Sequence, residues 1–254
     1  MPFSPSYDNH MHTPLCGHAP DARIAHMVQR ADALGLDSIC FTEHVGHPDE
    51  LERPRIIRGA VSHLAHRCRI FVGAEIDADR AAWDGRLCVD PPETLDYVLA
   101  SIHFIPGTSV LPHCQAMPDL DDAVIFERWR STLLGLCRDT RIDCIAHPGV
   151  MMLCARKAQG VTDDILQTFE EAAELARISG IAWELNNLVD HKLSPLQQDA
   201  YHRILQRGID AGLRINYGSD AHAPAALGGT AFCNCVIPKL KNLDMNGLTE
   251  SPCR

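Results

Sequence analysis

Residues 37–44 read DSICFTEH: a short apolar run, Ile39–Cys40–Phe41, that ends on a carboxylate and an imidazole. A run of this length, just after a helical pattern closed by Gly35, predicts a buried strand. The same arrangement recurs along the chain. SYDNHMH (6–12), RIFVGAE (69–75), DYVLASIH (96–103), DCIAH (143–147), IAWELN (181–186) and RINYGSD (214–220) are further candidate strands. Amphipathic stretches lie between them. In residues 21–35, Asp21 is a candidate N-cap and Ile24, Val28 and Ala31 share one face. Asp119–Cys137 carries Val124, Ile125 and Trp129, and Thr162 opens a stretch with Ile165 and Phe169 that closes near Gly180. Ser194–Pro195 is a cap followed by a proline at the first helical position, leading to Ile204 and Leu205. Seven strands separated by helices predict a parallel α/β arrangement, most economically closed as a barrel.

In that arrangement the polar strand ends become informative. His10 and His12, Glu43 and His44, Glu75, His103, His147, and Asp220 with His222 all stand at or just beyond the end of a run. Barrel active sites form at the C-terminal ends of the strands, so these groups are expected to converge on one face. One histidine at a strand end is ordinarily a satisfied polar residue; six strands ending this way have no structural explanation. Imidazole and carboxylate together suit zinc, manganese or iron(II), and no cysteine shares the strand-end positions. In HMH the two imidazoles, two residues apart on a strand, point to the same face, and DAH (220–222) repeats the geometry. Glu75 has two oxygens with which to bridge two metals. There are more donors than one metal takes, which points to a multinuclear centre.

The bulk composition limits the partners. The 254 residues carry 23 basic and 33 acidic side chains, a formal charge of −10. Such a field repels nucleic acid and anionic membranes, whereas bound cations can reverse it locally for a small anionic substrate. The N-terminus has no basic and apolar leader, and no apolar run reaches membrane-spanning length, so a cytoplasmic location is expected. Eleven cysteines occur without a CxxC pair, which fits a reducing compartment. Cys40 and Cys144 read as buried thiols, and Cys233 and Cys235 as two packed ones. A single domain over 1–238 is expected, followed by a short polar tail, 239–254.

The segments HMHTPLCGH, FTEH, GAE, SIH, AHPG and GSDAH, in this order from residue 10 to residue 222, resemble the polymerase and histidinol phosphatase superfamily. The resemblance implies a distorted (β/α)7 barrel with a metal site at the C-terminal strand ends, holding two or three divalent metals. It implies that His10, His12 and Asp220 bind one metal, with Glu75 bridging to a second that His103 and His147 complete. His18, His44 and His222 would hold a third; a histidine at the place of His18 separates trinuclear members from binuclear ones. Where the family often reads TDH, this chain has TEH, which leaves Glu43 as a neighbour supporting the ligands or as a distal ligand. Glu75, Asp220 and His222 are the candidate catalytic residues.

Phosphate also needs donors beyond the metals. Arg156 and Lys157 follow AHPG, and His191 and Lys192 follow ELNN, so these four are candidate substrate contacts. PLCGHA and SIHFI look most like the histidinol-phosphatase branch, making L-histidinol phosphate the first substrate to expect. Nucleotides, bisphosphorylated nucleotides and cyclic sugar phosphates are alternatives, as ELNN resembles other small phosphatases of the superfamily. A non-catalytic metal-binding module, a polymerase-type exonuclease and an amidohydrolase are the competing classes. His26, His47, His63, His66, His113 and His202 are expected at the surface, with His113 the candidate exception.

Overall fold

The computed structural model describes residues 2–156, 161–245 and 248. Its centre is a seven-stranded parallel sheet whose strands pair in chain order. They are β1 (Tyr7–Asp8), β2 (Ser38–Val45), β3 (Arg69–Asp77), β4 (Val98–Ser101), β5 (Cys144–Ile145), β6 (Ala182–Asn186) and β7 (Ile215–Gly218). Each of the seven overlaps a stretch expected from the sequence. The longest ladder joins Ser38–Val45 of β2 to β3, from Arg69 to Ile76, while β1 and β5 are minimal.

Parallel strands need crossovers, and helices supply most of them. These are α1 (Ile24–Leu34), α2 (Glu52–Val61), α3 (Asp122–Leu136), α4 (Val150–Ala155), α5 (Asp163–Ser179) and α6 (Pro195–Asp210). A seventh, α7 (Ala231–Val236), follows β7. The connection from β3 to β4 has no helix; it folds back through an antiparallel bridge between Ala78 and Leu87. Among the described residues, no strand ladder joins β7 to β1. The barrel closes instead through one parallel bridge, Met11 with Ala221. There His12 N donates to Ala221 O at 2.9 Å and Ala221 N to His10 O at 3.3 Å.

Local chemistry accounts for the helix limits. Ser194 and Gln197 form a reciprocal capping box around Pro195 at the start of α6. Gly180, at φ 76°, ends α5 in the left-handed region. Glycine adopts that conformation without a side-chain clash. Asp21 does not cap α1: the chain turns tightly from Ala19 to Ala22, and Arg23 occupies the cap position without a side-chain bond. The helix α2 was hidden in the sequence because only Pro54, Ile57 and Val61 of its ten residues are buried.

The core has an inner and an outer part. Inside the barrel, Cys40, Tyr97, Leu99, Cys144, Ala146 and Ala182 pack together. Outside, Trp129 and Trp183 pack on Phe169, the latter edge-to-face with ring centroids 5.5 Å apart, a preferred aromatic geometry. Cys233 is buried in this layer but Cys235 is exposed. Residues two apart on a helix do not share a face, so the expected packed pair is one packed thiol. The described part of the tail is docked: Gln206 of α6 bonds both the N–H and the carbonyl of Lys241, and Leu248 is fully buried. Among the described residues, no helix is long and apolar enough to cross a membrane.

Candidate metal centre

Above the strand ends, the side chains singled out in the sequence meet. His10 Nε2 and His12 Nε2 are 3.1 Å apart, and His12 Nε2 is 3.1 Å from Asp220 Oδ1. Glu75, buried near the end of β3, is the hub. Its Oε1 lies 3.0 Å from His147 Nε2 and 3.2 Å from His103 Nε2. Its Oε2 lies 2.9 Å from His44 Nδ1 and 3.4 Å from His10 Nε2, yet it has no hydrogen bond of acceptable geometry. His18 Nε2 and His222 Nε2 face each other at 3.0 Å. Among the described residues, four groups of donors have all ligand atoms within 4.8 Å: His10–His12–Asp220, His12–His44–His222, His44–Glu75–His103 and Cys16–His18–His222. His44 thus stands between the others, its ring centroid 4.2 Å from that of His12 and 5.3 Å from that of His18.

The donors fit divalent cations, and the test is how the rings are held from behind. His10 Nδ1 is 2.7 Å from Glu184 Oε1, and His103 Nδ1 is 2.6 Å from Asp77 Oδ1. His18 Nδ1 donates to Cys16 O at 3.1 Å and His222 Nδ1 to Asp220 O at 2.9 Å. Carboxylates and carbonyls only accept here, so each Nδ1 carries a proton and each Nε2 faces inward. Against burial, Glu75 and Asp77 bring His103 up to about 10 and Glu184 and Asp220 raise His10, so a bound cation takes the place of a proton on these two rings. Ring nitrogens crowded about 3 Å apart, in one pair beside a buried carboxylate oxygen that has no hydrogen bond, suit a site built for cations, and the outer carboxylates supply orientation and basicity. Glu43 has this supporting place: its Oε2 accepts from Thr13 N at 2.8 Å and from the Thr13 hydroxyl, and its Oε1 from His44 N at 3.0 Å.

The backbone is bent to reach this geometry. His147 has a φ of 29° and Asp220 a φ of 56°. Residues with side chains rarely occupy this region. His147 is pinned by its N–H to Glu184 Oε2 at 2.8 Å. Asp220 Oδ2 is held by Lys192 Nζ and Asn186 Nδ2, both at 3.3 Å.

Electrostatics keeps the carboxylates ionised. Burial opposes the charge of Glu75, but His103, His10 and His44 hold its carboxyl well below the usual range. Asp220 is likewise held down, against burial, by Lys192 and His10. Burial and the neighbouring His12 push His44 and His222 down to about 4. Both are thereby left as neutral imidazoles, the form that ligates metals. Burial works against the Lys192 charge, yet Asp220 and Glu75 raise its pKa.

An open cavity of about 790 Å³ lies over this cluster, its walls including His18, His44, His103, His222 and Lys192. Of the four expected substrate contacts, the structure brings Lys192 here. Arg156 is turned away: its guanidinium bonds Thr162 Oγ1 at 3.2 Å, lies 3.5 Å from Asp164 and stacks on Phe126. His191 points outward, 75% exposed, beside Asp190. Lys157 lies outside the described residues. His113 does line the cavity, and so do Arg80, stacked 4.5 Å from Phe104, and Arg53, which donates to His44 O. His47 also reaches its rim.

Sequence reasoning missed Glu184, Asp77 and Asn186 as site residues. A signal was present: Asp77 follows Glu75, and Asn186 follows Glu184, by two residues on a strand, which puts each pair on one face. Cys16 was also missed; its sulfur lies within 4.8 Å of the ligand nitrogens of His18 and His222.

Comparison with known proteins agrees with this geometry. The chain is 25% identical over 237 residues to a protein of Deinococcus radiodurans described as a probable histidinol-phosphatase, covering 87% of this chain and 88% of that one. It is 26% identical over 238 residues to a probable phosphatase of Aeromonas hydrophila, covering 91% and 83% respectively. Among solved structures, histidinol phosphate phosphatase from Lactococcus lactis, complexed with zinc, L-histidinol and phosphate, superposes with a TM-score of 0.61. That match is 17% identical and covers 96% of this chain and 98% of the other. A family model described as PHP domain matches residues 8–187. Since that match takes in well over half of the 254 residues, and the barrel is that of the matched structure, the chain belongs to the PHP domain family.

Proposed function

We propose that this protein hydrolyses a small phosphomonoester at a centre of three divalent cations, and that L-histidinol phosphate is its substrate. The observation that carries the reading is the convergence of His10, His12, His18, His44, Glu75, His103, His147, Asp220 and His222 beneath one cavity with Lys192 at its wall. The names of the relatives and of the Lactococcus lactis complex support the ester and the alcohol. In this reading His10, His12 and Asp220 would hold one cation, Glu75 with His103 and His147 a second, and His18 and His222, with His44 adjacent, a third. Zinc, manganese and iron(II) suit this set.

Bound divalent cations supply positive charge to the phosphoryl oxygens and make water a nucleophile at neutral pH. The chain does the rest. Lys192, anchored on Asp220, positions the phosphate through a charge-assisted bond. Asp220, held ionised, takes the proton of the attacking water and passes it to the leaving oxygen, while His222 on the cavity wall holds its ring in place through Nδ1. Glu184, Asp77 and Glu43 keep the imidazoles oriented. The domain is taken as 1–238, with 239–254 as an appended tail.

A phosphate-release screen over small phosphoesters, with zinc or manganese added, tests the proposal. L-histidinol phosphate should be turned over fastest. His12→Ala and Asp220→Asn should abolish release while circular dichroism stays unchanged; unaltered turnover in either would refute the assignment. Faster release from nucleotides or cyclic sugar phosphates would replace the substrate and keep the chemistry. A protein that binds metals but hydrolyses no ester would be a metal-binding module.

A further inference from the structure

We propose that Cys16 is a thiolate ligand of a divalent cation that it shares with His18 and His222. The inference rests on the metal-centre reading above and adds a donor of a different kind. Its basis is a cluster in which Cys16 Sγ, a His18 ring nitrogen and a His222 ring nitrogen all lie within 4.8 Å of one another.

The turn that builds it is specified locally. Thr13 Oγ1 accepts from Leu15 N at 3.2 Å, and Pro14 starts a 3-10 turn, Pro14–Cys16. Gly17 ends it at φ 85°, a conformation glycine adopts readily. The chain reverses there, so that Cys16 and His18, on either side of the glycine, both reach the same point.

The hydrogen bonds then fix which atoms face each other. His18 Nδ1 donates to Cys16 O and His222 Nδ1 to Asp220 O. Both Nε2 atoms therefore carry lone pairs, and they stand 3.0 Å apart. A direct bond between them needs one ring to be doubly protonated, whereas a cation satisfies both without it. The third donor of this group is the sulfur. His44, which the family resemblance assigns to these two histidines, turns Nδ1 to Glu75 at 2.9 Å and groups with His12 and His222, whereas the group that contains both His18 and His222 is completed by the sulfur. The Cys16 thiol is half-buried at the cavity wall and donates to Thr13 O at 3.1 Å. On ligation the S–H bond breaks, the sulfur keeps the electron pair and bonds the cation, and the proton leaves to solvent.

The chemical consequence is selectivity. A thiolate with two imidazoles is a softer set than imidazoles and carboxylates alone, so this position favours zinc, cobalt(II) or iron(II) over manganese or magnesium. The centre would then hold unlike sites: carboxylate-rich around Glu75, sulfur-containing at its outer edge.

Cobalt(II) gives a readout independent of turnover. Chelator-stripped protein, wild type and Cys16→Ser, is titrated with cobalt while metal content is counted by equilibrium dialysis. The wild type should develop a near-ultraviolet sulfur-to-cobalt charge-transfer band. Cys16→Ser should lack that band yet keep the visible d–d absorption of the remaining cobalt. A band that survives Cys16→Ser, or wild type that fills with cobalt without the band, overturns the proposal. Failure of both proteins to take up cobalt refutes the metal centre itself, and this ligand with it. Alkylation of the wild type followed by peptide mapping needs no variant: zinc should slow modification at Cys16 by at least about tenfold. Equal labelling with and without zinc counts against ligation.

Discussion

Glu184 is 2% exposed within an apolar strand, and one oxygen sits 2.7 Å from His10 Nδ1 while the other accepts His147 N. It therefore fixes two proposed ligands of different cations, one through its ring and one through its backbone. Glu184→Gln keeps the shape but weakens the charge behind His10, so metal affinity should fall about 10- to 100-fold, measured by competition with a chelator. Affinity equal to wild type would show that the His10 ring needs no such support. Lys192→Ala should raise KM by about tenfold or more with a smaller change in kcat, since a charge-assisted bond contributes roughly 1.5–3 kcal/mol. A KM that stays put excludes the lysine from phosphate binding. Glu43 bears on stability. Burial alone would raise its carboxyl, but the His12 imidazole and the Thr13 hydroxyl bring it from 4.5 down to about 2. A depressed pKa contributes stability above the unfolded value that is lost as pH falls through the folded one. Metal-free protein should thus lose up to about 3 kcal/mol between pH 4.5 and 2 that Glu43→Gln does not lose. Parallel pH dependences of stability in the two proteins would argue against that coupling.

The strands were legible because short apolar runs and a terminal carboxylate or imidazole are both properties of the local sequence. Nine candidate ligands followed from that pattern and the family resemblance, and the barrel brings them to one face. Residues acting across the barrel were harder to see. Glu184 reaches His10 over 174 positions, and the two-residue spacing to Asn186 puts both on one face without saying what that face meets. Arg156 does not line the cavity for the opposite reason: Asp164 and Thr162, at the start of α5, hold its guanidinium elsewhere. A glycine in β7 shows how tightly the elements meet. A Cβ on Gly218 would run into Glu184 Oε1 and His10 Cβ, both parts of the site. Gly218→Ala should therefore destabilise the fold by about 1–3 kcal/mol and displace the His10–Glu184 pair. The displacement should also weaken metal binding by more than the stability loss explains, and calorimetry of metal uptake by the folded variant would reveal it. Full affinity in a folded Gly218→Ala protein would mean that β6 and β7 can separate without cost to the site.

The molecule closes where it is proposed to work. Between β7 and β1 the only described bridge is Met11 with Ala221, which lies between His10 and His12 on one side and Asp220 and His222 on the other. The other seams of the barrel are strand ladders. This one is weak as backbone pairing, and the buried carboxylates that cross it face imidazoles over a protein of charge −10. Cations shared by His10, His12 and Asp220 would cross-link the two ends of the sheet, so binding should stabilise the whole fold. At a free metal concentration about 1,000 times Kd the linkage is worth about 4 kcal/mol, or on the order of 10 °C in Tm for a chain of this size. Chelation should therefore lower Tm by that order. It should also speed hydrogen exchange at His12 N and Ala221 N, the two seam amides, far more than in the β2–β3 ladder. Uniform acceleration across the sheet would mean that the metals stabilise the fold without acting as its clasp. No change at the seam would place them elsewhere.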